Sequence, residues 1–251
     1  MIIVPNSILL IKSQTSEDVP DKYETLLRSN NFKVSQVRSL VFTFKNLKKL
    51  GENLISGAYS GLILSSPRCV EAVRMAAPEN SLPQWRDKHN FVVGEATYKS
   101  ALEQLALDCL GKESGNGVNL AKKIVENKSE YDQPFLYPHG NLKSDTLNLE
   151  LEKEGIQVVG QEVYDTVSNP NIPKELATAT NNFQNVPEFI VFFSPSGVSS
   201  CIDLIGAIKD KVKFIAIGPV TEKTLIENNV SVFGVCKKPN PEELLKVILH
   251  K

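Results

Sequence analysis

No Cys-x-x-Cys pair occurs in this chain, and its three histidines, His89, His139 and His250, stand far apart. No metal-ligand spacing results, which argues against zinc catalysis. The four cysteines, at 69, 109, 201 and 236, are equally scattered. They read as reduced, structural thiols of an intracellular protein. No apolar run approaches the ~20 residues a membrane-spanning helix needs. Met1-Ile2-Ile3-Val4-Pro5-Asn6 has neither a basic n-region nor a long apolar core, so no secretory signal and a cytoplasmic location are expected. A surplus of one charge is missing too: the net charge is -1, which argues against a broad nucleic-acid surface, though a local basic patch would be hidden in the average. Nucleotide and hydrolase fingerprints are absent. Gly115-Asn116-Gly117 is the one G-x-G, with no third glycine or downstream acid, and neither G-x-x-x-x-G-K-[ST] nor G-x-S-x-G occurs.

What is present is an ordinary globular composition, 41% apolar and 23% charged over 251 residues, enough for one large domain or two of about 120 residues. Phe189-Ile190-Val191-Phe192-Phe193 runs into Ser194-Pro195-Ser196-Gly197. An uninterrupted apolar run of this length predicts a strand buried on both faces. Helical spacing follows from Val198 to Lys209, with Ser194 or Ser196 as cap. Strand, Ser/Gly turn and helix start together leave backbone N–H groups free at the C-terminal edge of a sheet, a place suited to an anion. A plain capped turn fits the same residues.

The same design recurs along the chain. Ile8–Ile11 predicts a strand, Lys12–Pro20 a polar loop and Asp21–Ser29 a helix. Phe32–Phe44 reads as extended, in one strand or two, and Leu47–Ile55 as a helix. Gly61–Leu64 leads through Ser65-Ser66-Pro67-Arg68 into a helix. A polar loop spans Ala77–Lys88, and in Phe91–Thr97 a strand ending in Gly94 is predicted, with a helix after it to Leu105. Gly115-Asn116-Gly117 precedes a helix over Asn119–Glu126. Phe135–Lys143 repeats strand-to-loop, Ser144–Lys153 a helix closed by Gly155, and Ile156–Val167 a second long extended segment. Phe214–Gly218 ends a strand at Gly-Pro, and Pro241 opens the last helix.

The two halves correspond. Leu64-Ser65 matches Phe193-Ser194 at an offset of 129. Phe91–Gly94 matches Ile215–Gly218, Asn119-Leu120 matches Glu243-Leu244, and Phe32 matches Ile156, each at 124. Repeated βα units in one order imply two similar α/β lobes from a duplicated unit. Segments 36–44 and 160–170 are the natural crossings between lobes, and a cleft between them is the default ligand site.

Ser65, Ser66, Gly94, Thr97, Asn116, Ser194, Ser196, Gly197 and Thr221 fall at the expected strand ends. Their hydroxyl and N–H groups suit carboxylates or phosphates; each Ser or Thr is equally a helix cap. Arg68 and Lys143 add positive charge beside two of the turns, or lie on solvated surface. Tyr164 is the residue of the extended segments with acid-base potential. With an ordinary pKa of about 10 it would donate a proton or hydrogen bond at neutral pH, and strand packing is its other reading.

Six segments in order and spacing carry a resemblance: Ser65-Ser66-Pro67-Arg68, Val92–Thr97, Pro138-His139-Gly140-Asn141-Leu142-Lys143, Val163-Tyr164-Asp165-Thr166, Phe192–Gly197 and Ile217-Gly218-Pro219-Val220-Thr221. From Ile8 to Leu249 the chain resembles the uroporphyrinogen-III synthase (HemD) family, most of all its animal members. The resemblance implies two HemD-type lobes, each a parallel sheet flanked by helices, joined by a two-stranded connector with a cleft between. Lobe 1 would be residues 1–38 with 168–251 and lobe 2 residues 42–164. It implies cyclisation of the linear tetrapyrrole hydroxymethylbilane to uroporphyrinogen III, with loss of water and inversion of ring D, and neither metal nor cofactor. A monomer with a small-molecule substrate, away from nucleic acid and membrane, is expected. Tyr164 falls on the family's tyrosine that assists departure of the hydroxyl and Thr221 on its Gly-Pro-x-Thr hydroxyl, which makes these two the expected catalytic residues. Ser66, Ser196 and Gly197 fall on substrate-binding turns. Ser65 stands where many members carry Thr, Val220 replaces a frequent Thr, and His139 lies at a variable position. A non-catalytic two-lobed binder of a polycarboxylate or tetrapyrrole, and an α/β domain for a sugar or nucleotide phosphate, are the alternatives.

Overall fold

Apolar runs without polar alternation need cover on both faces, and they have it in the computed structural model, which describes residues 1–13 and 20–249. Most of the expected Lys12–Pro20 loop, and His250, lie outside the described residues. The strands are β1 (Ile2–Lys12), β2 (Lys33–Arg38), β3 (Leu40–Phe44), β4 (Gly61–Leu64), β5 (Phe91–Val92), β6 (Phe135–Gly140), β7 (Val158–Ser168), β8 (Asn185–Phe192), β9 (Lys213–Ala216) and β10 (Val232–Val235). The helices are α1 (Lys22–Ser29), α2 (Leu47–Ile55), α3 (Pro67–Ala76), α4 (Glu95–Leu105), α5 (Gly117–Val125), α6 (Thr146–Lys153), α7 (Ile172–Ala179), α8 (Pro195–Cys201), α9 (Pro219–Glu227) and α10 (Pro241–Leu249).

The chain divides into Met1–Val41 with Val167–Lys251, and Phe42–Thr166. The first unit holds the sheet β10-β9-β8-β1-β2, the second the sheet β3-β7-β6-β4-β5. In the first unit, successive residues of β1 face opposite sides. Leu9 and Ile11 pack with α7, α8 and α9, and Ile8 and Leu10 with α1 and α10. In the second, Leu62 and Leu64 pack under α2, α3 and α4, while Ile63 meets α5 and α6.

The internal repeat is visible in the pairing. The order β9-β8-β1-β2 of one sheet is the order β5-β4-β6-β7 of the other. Ile8↔Val34 through Lys12↔Arg38 in one is Phe135↔Val158 through His139↔Glu162 in the other. Constant offsets, 127 for the first strand and 124 for the second, relate the two ladders. Even the outer strand β10 has a counterpart, a parallel bridge from Phe91 to Leu110.

Several expectations need correction. β5 ends at Val92, two residues before the expected Gly94, which sits at φ +80 in the left-handed region that favours glycine, and α4 starts at once. Thr97 is therefore not at a strand end but buried inside α4. The helix expected to Lys209 stops at Cys201; Ile205 and Ile208 are buried by a 3-10 turn over Gly206–Lys211 instead. Lys12 belongs to β1, not to a loop. The loop 77–88 buries Trp85, whose Nε1 donates to Leu54 O at 2.9 Å.

Lys12 closes β1 as a nearly buried cation, ion-paired with the carboxylate of Asp21 and lying 5.2 Å from the ring centres of both Tyr23 and Phe193. Burial alone would raise the Asp21 pKa, but Lys12 and the N–H groups of Glu24 and Tyr23 outweigh it and hold the carboxyl below its ordinary value. A group depressed in this way contributes stability that is complete above the unfolded pKa of about 4 and is lost as pH falls through the lower folded value. Asp21→Asn keeps a capping oxygen for α1 but strands the Lys12 charge. It is expected to cost about 3 kcal/mol at pH 7. Urea midpoints of the two proteins should converge as pH drops below about 4.

Candidate functional site

The Phe42–Thr166 unit has a cavity of about 460 Å³ at the C-terminal ends of its parallel strands, where such sheets leave helix N-termini and strand ends unoccupied. It brings together Ser65, Ser66, Asn116, Lys143 and Tyr164 from the candidates, with Tyr137, Gly140, Leu142 and Thr166. Arg68, Gly94 and Thr97 are in this unit but do not line the cavity.

Ser66 caps α3: its Oγ accepts from Cys69 N at 3.4 Å. The same Oγ lies 3.3 Å from the Tyr164 hydroxyl and 3.3 Å from Cys69 Sγ. Ser65 Oγ stands 3.8 Å from that sulfur. The Tyr164 phenol and two serine hydroxyls are thereby gathered around one buried thiol, with Tyr137 lining the same cavity. Capping and site-building use one atom, because an N-cap oxygen at a strand end already faces the open edge of the sheet.

Tyr164 is placed by a bulge. β7 pairs His139 with Glu162 and then Gly140 with Tyr164, so Val163 is extra. Its carbonyl accepts from Lys45 N at 2.8 Å, its side chain is buried, and the next residue is re-aimed toward Ser66. Phe42 and Phe44 stand edge-on to the Tyr164 ring, at 5.9 and 6.4 Å. Burial, chiefly, raises the Tyr164 pKa above its ordinary value, with the neighbouring Cys69 adding and the Ser66 hydrogen bond and Arg68 opposing. The phenol is thus a protonated donor at neutral pH.

Arg68 is not the solvated residue of its alternative reading. Its side chain is 13% exposed, bonds Glu71 Oε2 at 2.7 Å and stacks 4.4 Å from the Phe42 ring centre. Lys143 is 23% exposed and is held by Asp145 at 3.3 Å, near the face of Tyr137. Asn116 caps α5, accepting from Asn119 N at 2.9 Å. His139 is buried, with Nδ1 2.9 Å from Gly140 O and a pKa lowered mainly by burial.

In the other unit Ser194, not Ser196, caps α8, accepting from Gly197 N at 3.1 Å and meeting Ser196 Oγ at 3.0 Å. Gly197 packs on Ile11 and Ser39. Thr221 is buried in the first turn of α9, while Val220 beside it is 69% exposed. Among the described residues no three His, Cys, Asp or Glu side chains converge as a metal site requires.

Tyr137, Cys69 and Gly140 were not among the candidates. Tyr137 and Cys69 read as core, which by burial they are, and only the hydroxyls packed against them reveal the network. Gly140 had a visible signal: a glycine at the end of an apolar strand, where backbone and another group approach closely.

A family model for uroporphyrinogen-III synthase HemD matches residues 21–246. The chain is 26% identical over 264 aligned residues to the uroporphyrinogen-III synthase of Saccharomyces cerevisiae, spanning 96% of this chain and 94% of that one. The crystal structure of uroporphyrinogen-III synthetase from Helicobacter pylori 26695 is similar with a TM-score of 0.60, 17% identity and coverage of 97% of this chain and 98% of its own. At that identity the likeness speaks for the fold alone, and the fold agrees with two parallel sheets flanked by helices. With most of its length matched by the family model, the chain belongs to the uroporphyrinogen-III synthase HemD family.

Proposed function

We propose that this chain is a cyclising lyase that converts hydroxymethylbilane to uroporphyrinogen III with inversion of ring D and loss of water. The observation that carries the reading is the family match over residues 21–246. The donor-rich cavity, with neither strong base nor metal ligands among its lining residues, supports the chemistry.

The reaction asks for little covalent help. The C–O bond of the ring A hydroxymethyl group breaks with electrons pushed from its pyrrole nitrogen, and the hydroxyl leaves as water with an added proton. The Tyr164 phenol, protonated at neutral pH, is the donor we assign to that step. The substituted α-carbon of ring D attacks the resulting azafulvene, and the spiro intermediate fragments and recloses inverted. Loss of a proton from the pyrrole restores aromaticity and balances the one donated. Ser66 Oγ, 3.3 Å from the phenol oxygen, fixes where that hydrogen points. Free substrate cyclises unaided to the uninverted isomer, so holding one geometry is the larger part of catalysis. Lys143 and the N–H groups at the start of α5 are suited to the substrate's carboxylates. We assign Ser65, Ser66 and Asn116 to binding in this unit, Ser194, Ser196 and Gly197 to binding in the other, and to Thr221, in that other unit, a catalytic role in addition to that of Tyr164. Arg68 is assigned to substrate only if its bond to Glu71 opens, and buried Thr97 only through its helix.

Purified protein given hydroxymethylbilane, with products oxidised and separated, is expected to yield mainly the type III isomer. Type I alone at the spontaneous rate overturns the reading. Retained binding of tetrapyrrole with an unaltered isomer ratio favours the non-catalytic binder instead.

A further inference from the structure

The end of β6 carries a glycine whose backbone does not ask for one. Gly140 is not among the residues with positive φ, so an L side chain could adopt its conformation. A Cβ built there meets Tyr164 Cε2 and Cζ at 2.5 Å and its hydroxyl oxygen at 2.9 Å. All three nearest atoms belong to that one side chain, well inside ordinary van der Waals contact.

The repeat tells why this matters. The offsets that carry Lys12↔Arg38 onto His139↔Glu162 carry Ser13 onto Gly140 and Leu40 onto Tyr164. The sister ladder stops at Lys12↔Arg38, and Leu40 already belongs to β3. The close packing of a glycine on an aromatic ring belongs to the ladder in which the phenol faces Ser66.

We infer that Gly140 is a positioning residue for the reaction: its missing side chain is the space in which the Tyr164 ring lies, and that space sets the phenol against Ser66 and the cavity. The inference rests on the proposed role of Tyr164. A methyl group on Gly140 has to push the ring away by about 1 Å to reach normal contact, a displacement large enough to matter for proton donation. Substrate-binding groups elsewhere in the cavity stay in place, so the effect falls on kcat rather than KM.

The test is a cycle of Gly140→Ala, Tyr164→Phe and Tyr164→Leu in the full chain. Gly140→Ala is expected to lower kcat by about tenfold with KM little changed, and to lower it no further once Tyr164→Phe is present. Melting temperature gives a second, activity-free reading: Gly140→Ala should lower it in the native protein and leave it unchanged in the Tyr164→Leu background, where no ring fills the space. An equal kcat loss with and without the phenol, or a full melting penalty in the Tyr164→Leu background, overturns the inference. Full kcat in Gly140→Ala while Tyr164→Phe is impaired overturns it alone. Full kcat in Tyr164→Phe removes the catalytic role of Tyr164, and with it that of Gly140, even where the melting cycle still records the shared space.

Discussion

Tyr164→Phe is expected to lower turnover of hydroxymethylbilane by about 10- to 100-fold, the range of a general-acid contribution. Folding should be kept. The ring remains, so the edge-on contacts with Phe42 and Phe44 remain. Ser66 still caps α3 through Cys69 N. The variant loses one partly buried hydrogen bond, about 1 kcal/mol, and no packing. The product mixture should shift as well. Each substrate molecule that waits longer for its hydroxyl to leave has more opportunity to dissociate and cyclise unaided, so the type I share should rise. The measurement is initial rate and isomer ratio side by side. Unaltered values for both return Tyr164 to the packing role that a strand tyrosine has by default. Because the phenol pKa is raised by burial, the donor stays protonated through neutral pH, and the native rate should not fall on its account between about pH 6 and pH 9.

The second large effect is on stability. A Cβ on Gly61 would stand 1.7 Å from the carbonyl oxygen of His89 and 2.5 Å from its carbon. Both are backbone atoms, fixed by the bond from His89 N to Ser60 O at 3.1 Å. Phe135, paired with Gly61 across the ladder, closes the other side with Cε1 at 3.1 Å. No side-chain rotation relieves this contact. β4 would have to part from the segment leading into β5. Gly61→Ala is therefore expected to cost on the order of 5 kcal/mol, at the extreme of single substitutions. Loss of soluble protein, or a urea midpoint far below that of the native chain, would register it. A variant with native stability would mean that the close approach of Gly61 and His89 is not a feature of the folded protein.

Much of the scaffold was legible because both sheets are buried on both faces. β4, the Phe135–Tyr137 start of β6 and the Phe189–Phe192 end of β8 are unbroken apolar runs, and a parallel sheet covered on both faces accommodates such runs. Ser66 and Ser194 were readable as caps, and they are caps; Asn116, read as a strand-end donor, caps α5 as well. What failed depended on neighbours rather than on local pattern. Val198, Cys201, Ile205 and Ile208 keep helical spacing, yet a 3-10 turn buries the last two as well as a helix would. α7 was not foreseen; it holds Pro173 in its first turn, where a proline costs no hydrogen bond. The site was half visible. Residue types at strand ends identified Ser65, Ser66, Asn116 and Lys143. The bulge at Val163 was not readable, since one extra residue in β7 leaves no mark in composition. Without it, neither the aim of Tyr164 nor its distance to Ser66, which lies 98 residues away in sequence, could be derived.

β1 lies between β2 and β8, and this has a consequence for how the chain comes into being. Residues 1–38 leave the ribosome well before residues 185–192, yet Ile8 pairs with Phe189 and Ile11 with Phe192. β1 spends that interval with one edge open, while Phe42–Thr166, continuous in sequence, can close as soon as it has been made. The unit begun earlier is completed later. Any delay before residue 185 prolongs the interval in which an open β1 edge can pair with another nascent chain.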